Sequence, residues 1–513
     1  MSKLENPPSG SGADISGRSE VVHVARGGGL NLAGSLVNTL SVLGLFWVLN
    51  HNLGQTLTGI YIQAFALRRI LQTIALGGMR SAMTRFVAIH LADDDDAALR
   101  GTIAVGIAVS VGLATLLGLL LFFAAPWLAT SVYGDPELVA GLRWVALGLP
   151  SASFTIVVLS ATMGWRTMRP NAIVGSMGEP IARVVLTAIA LGLGAGLTGS
   201  LIMLQVASVL ASVVAWLWLR SLMRGHAKVS PVYETGALVR FGAATWASSI
   251  ALEGIRWADV QVLAVLTTAD VVAEYQVATR TVLFCALAVN ALTGALAPRA
   301  ADLLRRGEET VLRRLYVTTS AILVRITLPF LVVVLVQSDW LLTIFGTEYT
   351  GAAWISRMLV FGVLFDTAVG AAGPILNMAG LQLYNLADNV GGLILNVTLN
   401  VVLVPAFGGV GAAVAWTVTF LALGTARILQ VKSKVLQVLP FSSAMWGMLI
   451  AGVVSGVVGW SLRLTVVDQV WAVAPVAIVM VMVYFGVSML VGIGDDERWA
   501  ARSLFRSSDT IPA

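Results

Sequence analysis

Charge is scarce in this chain. Asp, Glu, Lys and Arg together make up 12% of its 513 residues, about half the roughly 25% of soluble domains. The net charge of +5 is spread as Lys and Arg between apolar runs and forms no basic-aromatic patch, so a nucleic-acid partner is not expected. Cysteine is nearly absent. Cys285 stands alone within an apolar run, which excludes a disulfide within the chain and reads as a small buried hydrophobe. The four histidines, at 23, 51, 90 and 226, are dispersed without metal-ligand spacing. Neither Gly27-Gly28-Gly29 nor the Gly192, Gly194, Gly196 cluster follows a strand or precedes Lys-Ser or Lys-Thr, so neither is a phosphate loop. No nucleophile-base constellation stands out. The chain is therefore expected to be no enzyme and to need neither metal nor cofactor. Asp93 to Asp96 lacks an aromatic or His frame beyond His90 and reads as a solvated loop face, not as a metal-binding acidic motif.

What the chain has in abundance is apolar length. Hydrophobic residues reach 57% and the mean hydropathy is +0.86, which marks a polytopic membrane protein. About 20 apolar residues span a bilayer, and by that ruler fourteen spans follow one another from Gly28 to Val491. Arg143, Arg357 and Arg463 alone mark the margins of one set of loops, while Arg80, Arg100, Arg224, Lys228, Arg240, Arg306, Arg314 and Lys434 crowd the other. The positive-inside bias then places both termini in the cytoplasm. Met1 to Glu20, polar and without an apolar core, is expected to be part of a disordered tail instead of a cleavable signal.

A pattern is used twice. Shifted by 214 positions, Tyr275 falls under Tyr61, Arg299 under Arg85 and Arg314 under Arg100, with Glu308-Glu309 near the place of the acidic run. Six spans make each copy, and an even number gives parallel repeats about an axis along the membrane normal. The expected fold is all-α, with about 14 transmembrane helices in two six-helix lobes around a central cleft and two extra C-terminal helices. The divisions are a tail at 1–27, an N-lobe at 28–221, a connector at 222–240, a C-lobe at 241–430, two further spans at 441–493 and a tail at 494–513.

Ionisable residues inside spans cost at least about 2.5 kcal/mol each near the bilayer centre and are functional candidates by default. In the second span Tyr61, Arg68 and Gln72 share a narrow stripe of one helical face, and Arg69 lies a hundred degrees beside it. Glu179 and Arg183 in the fifth span have the i, i+4 spacing of an intrahelical ion pair beside Pro180. Glu253, Arg256 and Asp259 wind around the seventh span. Glu274, Arg280, Asn290 and Thr293 make the eighth polar; Arg325, Asp366 and Asp388 are single charges expected to join helices. Asn389, Asn396 and Asn400 are expected to bond between helices. The concentration of ions in spans two, five, seven and eight points to a polar cleft between lobes. Guanidinium groups are the natural partners of a diphosphate.

Arg240-Phe241-Gly242, Trp257-Ala258-Asp259, Glu274-Tyr275 and Ala297-Pro298-Arg299 resemble, in order, the second-half signature of the polysaccharide and oligosaccharide flippases of the multidrug, oligosaccharidyl-lipid and polysaccharide exporter superfamily. Ile344-Phe345-Gly346-Thr347-Glu348-Tyr349 and the stretch from Val404 to Ala413 resemble its later landmarks. Asn50 departs, standing where members often have an Arg. The resemblance implies an alternating-access flippase of the cytoplasmic membrane that moves an undecaprenyl-diphosphate-linked oligosaccharide for cell-surface polysaccharide synthesis. It implies that Arg68, Arg69, Arg256 and Arg280, with Tyr61 and Gln72, meet the substrate. Glu179, Arg183, Glu253 and Asp259 would be counter-ions or would bind a coupling cation, H+ or Na+. The alternatives are a peptidoglycan-precursor flippase, a cation-coupled drug exporter of the same superfamily, and a membrane glycosyltransferase or polymerase. The short outer loops disfavour the last.

Overall fold

The computed structural model describes residues 12–285, 300, 302–465 and 472–491, with side chains from residue 33 on, that of Ala244 excepted. Asn290, Thr293 and the Ala297-Pro298-Arg299 triplet lie outside the described residues. Within a bilayer the backbone must bond to itself, and helices do this segment by segment. All regular structure among the described residues is helical, and ten helices are long and apolar enough to cross a membrane.

The first lobe comprises α1 (Gly12–Ala75), α2 (Met79–Ala92), α3 (Asp96–Trp127), α4 (Leu138–Gly164), α5 (Glu179–Gly192) and α6 (Gly196–Leu222). The second comprises α7 (Thr235–Leu266), α8 (Ala269–Phe284), α9 (Glu309–Leu342), α10 (Ala353–Val369), α11 (Ala372–Met378) and α12 (Gln382–Val431). Then come α13 (Ala444–Thr465) and α14 (Val473–Val491), which pack on each other and on α9. The first two expected spans are the two legs of α1, which breaks at Gly54 with φ 76° and ψ 179°. Spans eleven and twelve likewise join in α12 at Gly408, φ 54°. A side chain is strained at these angles and glycine is not, so each hairpin of helices turns on one residue. The expected tenth span is itself broken at Gly370. The tail expected to be disordered over 1–27 is helical from Gly12 on.

Within the first lobe α4 is the central helix, covered by α3 and α6, while α5 lies on α6 and α1. In the second, α12 has that place between α7 and α10. Leu328, Val332 and Val336 of α9 meet Met448 of α13 and Met480 of α14 in a separate apolar cluster. Its margin is closed by Asp339, which Arg357 of α10 reaches at 3.3 Å and Arg463 of α13 binds directly. An ion trio thus pins the added helices to the second lobe.

The acidic run is exposed over Asp93 to Asp95, as its composition implies, but its last two carboxylates are also put to use. Asp95 caps α3, accepting from the backbone N–H groups of Ala97 and Ala98 at 3.0 and 2.9 Å. Asp96 takes the His226 ring at 2.7 Å and the Ala227 N–H at 2.7 Å. The Trp165 indole donates to His226 Nε2 at 3.3 Å, Arg100 donates to the Ala227 carbonyl at 2.8 Å, and Val232 N–H reaches the Ala97 carbonyl. The connector between lobes is therefore strapped to the first lobe over 226–232. In the second copy the equivalent segment pairs with itself, Asp302 with Arg305 and Arg306, and Glu309 with Arg313. The Arg305 hydrogen bond holds the Asp302 carboxyl below the usual carboxylate range. Removing the Asp96 carboxylate takes the protein acceptor away from the His226 ring and the Ala227 N–H, and Asp96→Ala is expected to loosen the strap. Limited proteolysis should then cut within 226–234 several times faster than in wild type; unchanged cutting would show that the strap does not depend on Asp96.

Candidate functional site

The second leg of α1 runs between the lobes, touching α4 and α5 on one side and α7 and α8 on the other. At the Gly54 end the lobes are bridged by short polar contacts. Thr56 donates to Asp270 at 2.6 Å, Gln55 to Glu274 at 2.9 Å, Tyr349 to Asn50 at 2.6 Å and Tyr133 to Gln261 at 2.5 Å. Gly59 lies so near the Ala269 carbonyl that any Cβ there would overlap it. At the Gly78 end, Trp246 of α7 donates to the carbonyls of Thr73 and Ile74, Arg85 lies 4.5 Å over the Phe241 ring, and Gly78 abuts Gly242. Between these two seams lies the polar cleft.

Its hub is Glu253. Arg69 from α1 brings Nε to 3.0 Å and Nη2 to 2.9 Å of Glu253 Oε1, and the Trp257 indole donates to the same oxygen at 3.2 Å. Arg256, one turn along α7, stands 3.7 Å from Oε2. Arg280 of α8 lies 4.8 Å over the Trp257 ring and bonds Gln276 Oε1 at 3.3 Å. It shares the field of Asp259, Arg69, Arg256 and Glu253. Asp259, fully buried, accepts from the Tyr275 hydroxyl and from Val260 N–H at 2.8 Å. The carboxylate of Glu253 is 10% exposed, whereas Arg69 is 38% and Arg256 59% exposed. Two guanidinium groups thus face the cleft around a recessed acid, with a third stacked beside them.

The expected stripe of α1 stays together, and Arg69 beside it turns to Glu253. Tyr61, Arg68 and Gln72 are buried on the side away from Glu253. Arg68 Nη2 meets Ser208 Oγ of α6 at 2.5 Å, and that hydroxyl leans on Glu179 Oε1 at 3.4 Å. Arg68 is therefore a residue of the first lobe's interior and not of the cleft. The expected Glu179–Arg183 ion pair is not formed. Arg183 lies 5.2 Å over the Phe65 ring instead, and among the described residues it makes no hydrogen bond or ion pair. Asn389 does bond between helices, donating to Ser248 at 3.1 Å and accepting from Arg427 at 2.8 Å. Asn400 bonds only back to Asn396 on its own helix. Asp388 takes Gln430 at 2.8 Å, and Arg325 reaches Ser488 of α14 at 2.5 Å. Among the described residues no group of three His, Cys, Asp or Glu is placed to hold a metal.

Sequence reasoning missed Ser208, Gln276 and the role of Trp257. The tryptophan stood among the charges of the seventh span, where a ring can stack on a cation from a neighbouring helix, here Arg280. Nothing in the sequence singles out Ser208.

A family model described as "Polysaccharide biosynthesis protein" matches residues 24–304, more than half of the chain. The probable low-salt glycan biosynthesis flippase Agl15 of Haloferax volcanii is 28% identical over 221 residues, 42% of this chain and 46% of that protein. The chain thus matches somewhat less than half the length of this relative. Among solved structures, the lipid II flippase MurJ in its inward closed conformation superposes with a TM-score of 0.70 at 13% identity, over 90% of this chain and 98% of that one. An inward-facing multidrug resistance MATE transporter of the MOP superfamily gives 0.62 at 14%, over 78% and 94%. The Vibrio cholerae MATE transporter VcmN gives 0.55 at 16%, over 80% and 98%. These likenesses give the fold, a multi-pass membrane architecture of two helical lobes. By the family match the chain belongs to the polysaccharide biosynthesis protein family.

Proposed function

We propose that this protein carries a polyprenyl-diphosphate-linked oligosaccharide, of the undecaprenyl type, from the cytoplasmic to the outer leaflet of the cytoplasmic membrane by alternating access. The observation that supports this most is the grouping, from three helices of both lobes, of Arg69 and Arg256 on Glu253 with Arg280 stacked on the adjoining Trp257. Guanidinium stays charged in any environment and binds phosphate oxygens in pairs. The Glu253 carboxylate stands in for those oxygens when the cleft is empty of substrate. A diphosphate brings more negative charge than one carboxylate and takes over Arg69 and Arg256. Because those two arginines belong to opposite lobes, the same exchange transfers an interlobe bond from protein to substrate.

An apolar cavity of about 350 Å³ between α1, α8 and the end of α9, lined by Leu43, Trp47, Thr281, Phe284, Leu341 and Phe345, suits an isoprenoid chain. The head would enter the polar cleft while the tail stays in lipid. The orientation from the positive-inside bias puts the Gly54 end outside and both termini in the cytoplasm. Asp259, held by Tyr275, and Glu253 are the acids available to a coupling cation. The name of the Haloferax volcanii relative, a glycan biosynthesis flippase, supports the glycan class.

The test is flipping by the purified protein in vesicles of a fluorescent lipid-diphosphate oligosaccharide. Wild type is expected to expose it to an external quencher. Arg256→Ala is expected to slow this at least tenfold, since charged hydrogen bonds to phosphate contribute about 1.5–3 kcal/mol. No flipping of any diphosphate-linked glycan, or equal rates in wild type and Arg256→Ala, would overturn the proposal.

A further inference from the structure

The interior of the first lobe holds more cation than it can balance. Arg68 and Arg183 are both buried there with Nε atoms that meet no acceptor. The Tyr61 hydroxyl and the Thr187 hydroxyl, equally buried, also lack a partner. Thr187 follows Arg183 by one turn on α5 and shares its face. Tyr61 lies in the field of Arg183, Arg68 and Glu179 together. All four orphans can donate, so what is missing is an acceptor. Glu179 lies in the field of Arg68 and is bonded by Ser208 at 3.4 Å, but among the described residues no salt bridge joins it to either arginine. Two guanidinium groups against one carboxylate leave an excess positive charge inside a lipid-embedded lobe, where an unbalanced ion is costly.

The second copy of the repeat shows what is missing. Tyr275, the counterpart of Tyr61, donates to Asp259. At the matching shift of 214 positions from Asp259 the first copy has Leu45. The second lobe places a carboxylate on this tyrosine and the first does not.

We propose that the first lobe binds a monovalent inorganic anion of halide size, chloride being the class, between α1, α5 and α6, held by Arg68, Arg183, Tyr61 and Thr187. A metal cation is repelled by the two guanidinium groups. Water satisfies the donors but leaves the charge. A small anion does both, and it is separate from the diphosphate cleft, which lies about a hundred degrees round α1 at Arg69.

The experiment is thermal unfolding of the purified full-length protein in sodium chloride, bromide or gluconate at equal ionic strength, gluconate being too bulky for the site. Chloride and bromide are expected to raise the melting temperature saturably by several degrees, as ligands of the folded state do. Arg256→Ala should keep that response. Arg183→Gln removes the excess charge, so it is expected to melt in gluconate as high as wild type does in chloride, and to ignore chloride. Tyr61→Phe should raise the half-saturating chloride concentration several-fold. Equal melting of wild type in chloride and gluconate, as waters alone would give, overturns the proposal, and so does a chloride response kept intact in Arg183→Gln. Should Arg183→Gln fail to fold, crystals of wild type in bromide decide: anomalous density between Arg68 and Arg183 upholds the site, and bromide found only elsewhere refutes it.

Discussion

Gly59→Val is expected to stop glycan export while leaving both lobes folded. Gly59 sits where the second leg of α1 crosses the start of α8, and a Cβ there would overlap the carbonyl oxygen and carbon of Ala269. The obstacle is backbone, which has no rotamer to yield, so the helices must part. Parting them withdraws Thr56 from Asp270, Gln55 from Glu274 and Tyr349 from Asn50, since all bridge the same seam. Overpacking of this kind costs about 1–3 kcal/mol, which shifts a two-state equilibrium roughly 5- to 150-fold. A transporter that must close this end in every cycle loses turnover in that proportion. Cysteines placed at Gln55 and Asp270, with Cys285 as the only native thiol replaced by serine, should cross-link readily alone and scarcely when combined with Gly59→Val. Undiminished cross-linking and export in that variant would show that the seam is not part of the cycle. Gly78, at φ 74° against Gly242, is the corresponding point of the opposite seam. A side chain there should open the other end.

Arg69→Ala and Glu253→Gln are expected to move diphosphate binding in opposite directions. The Arg69–Glu253 pair is partly exposed, so it is worth about 1 kcal/mol. Neutralising Glu253 frees Arg69 and Arg256 for phosphate and should tighten inorganic diphosphate binding by about fivefold. Removing Arg69 takes away a cation that binds from the other lobe, and should weaken binding at least tenfold. Trp257 reports both, because its indole touches Glu253 and its ring lies under Arg280; its fluorescence should respond to diphosphate in wild type. Transport falls in both variants. In Arg69→Ala the substrate is not held, and in Glu253→Gln no acid draws the arginines back when it leaves. If Glu253→Gln instead weakened binding, its carboxylate would be a support for the arginine side chains and not a stand-in for phosphate.

Much of the architecture was legible because lipid makes it so. A chain that must satisfy its backbone inside hydrocarbon writes its spans as apolar runs of nearly fixed length, and the breaks at Gly54 and Gly408 were marked by glycine. The doubling was legible in Tyr61 and Tyr275, which are both fully buried. The use made of Asp95 and Asp96 was not. The run is solvated as its composition says, but nothing local records that Asp95 caps the helix starting at its end or that His226, 130 residues on, returns to Asp96.

The sequence by itself determined that arginines lie inside the membrane, on which spans, and with which acids in supply. Only the tertiary structure decided which of them meet a substrate. Arg68 and Arg69 are consecutive and chemically identical, yet one hundred degrees of helix rotation sends the first to Ser208 inside a lobe and the second to Glu253 across the cleft. Helical periodicity fixes that angle between them but not its origin. The origin is set by α5 and α6 packing on one side of α1 and α7 on the other, through contacts more than a hundred residues apart in the chain, which no local pattern records.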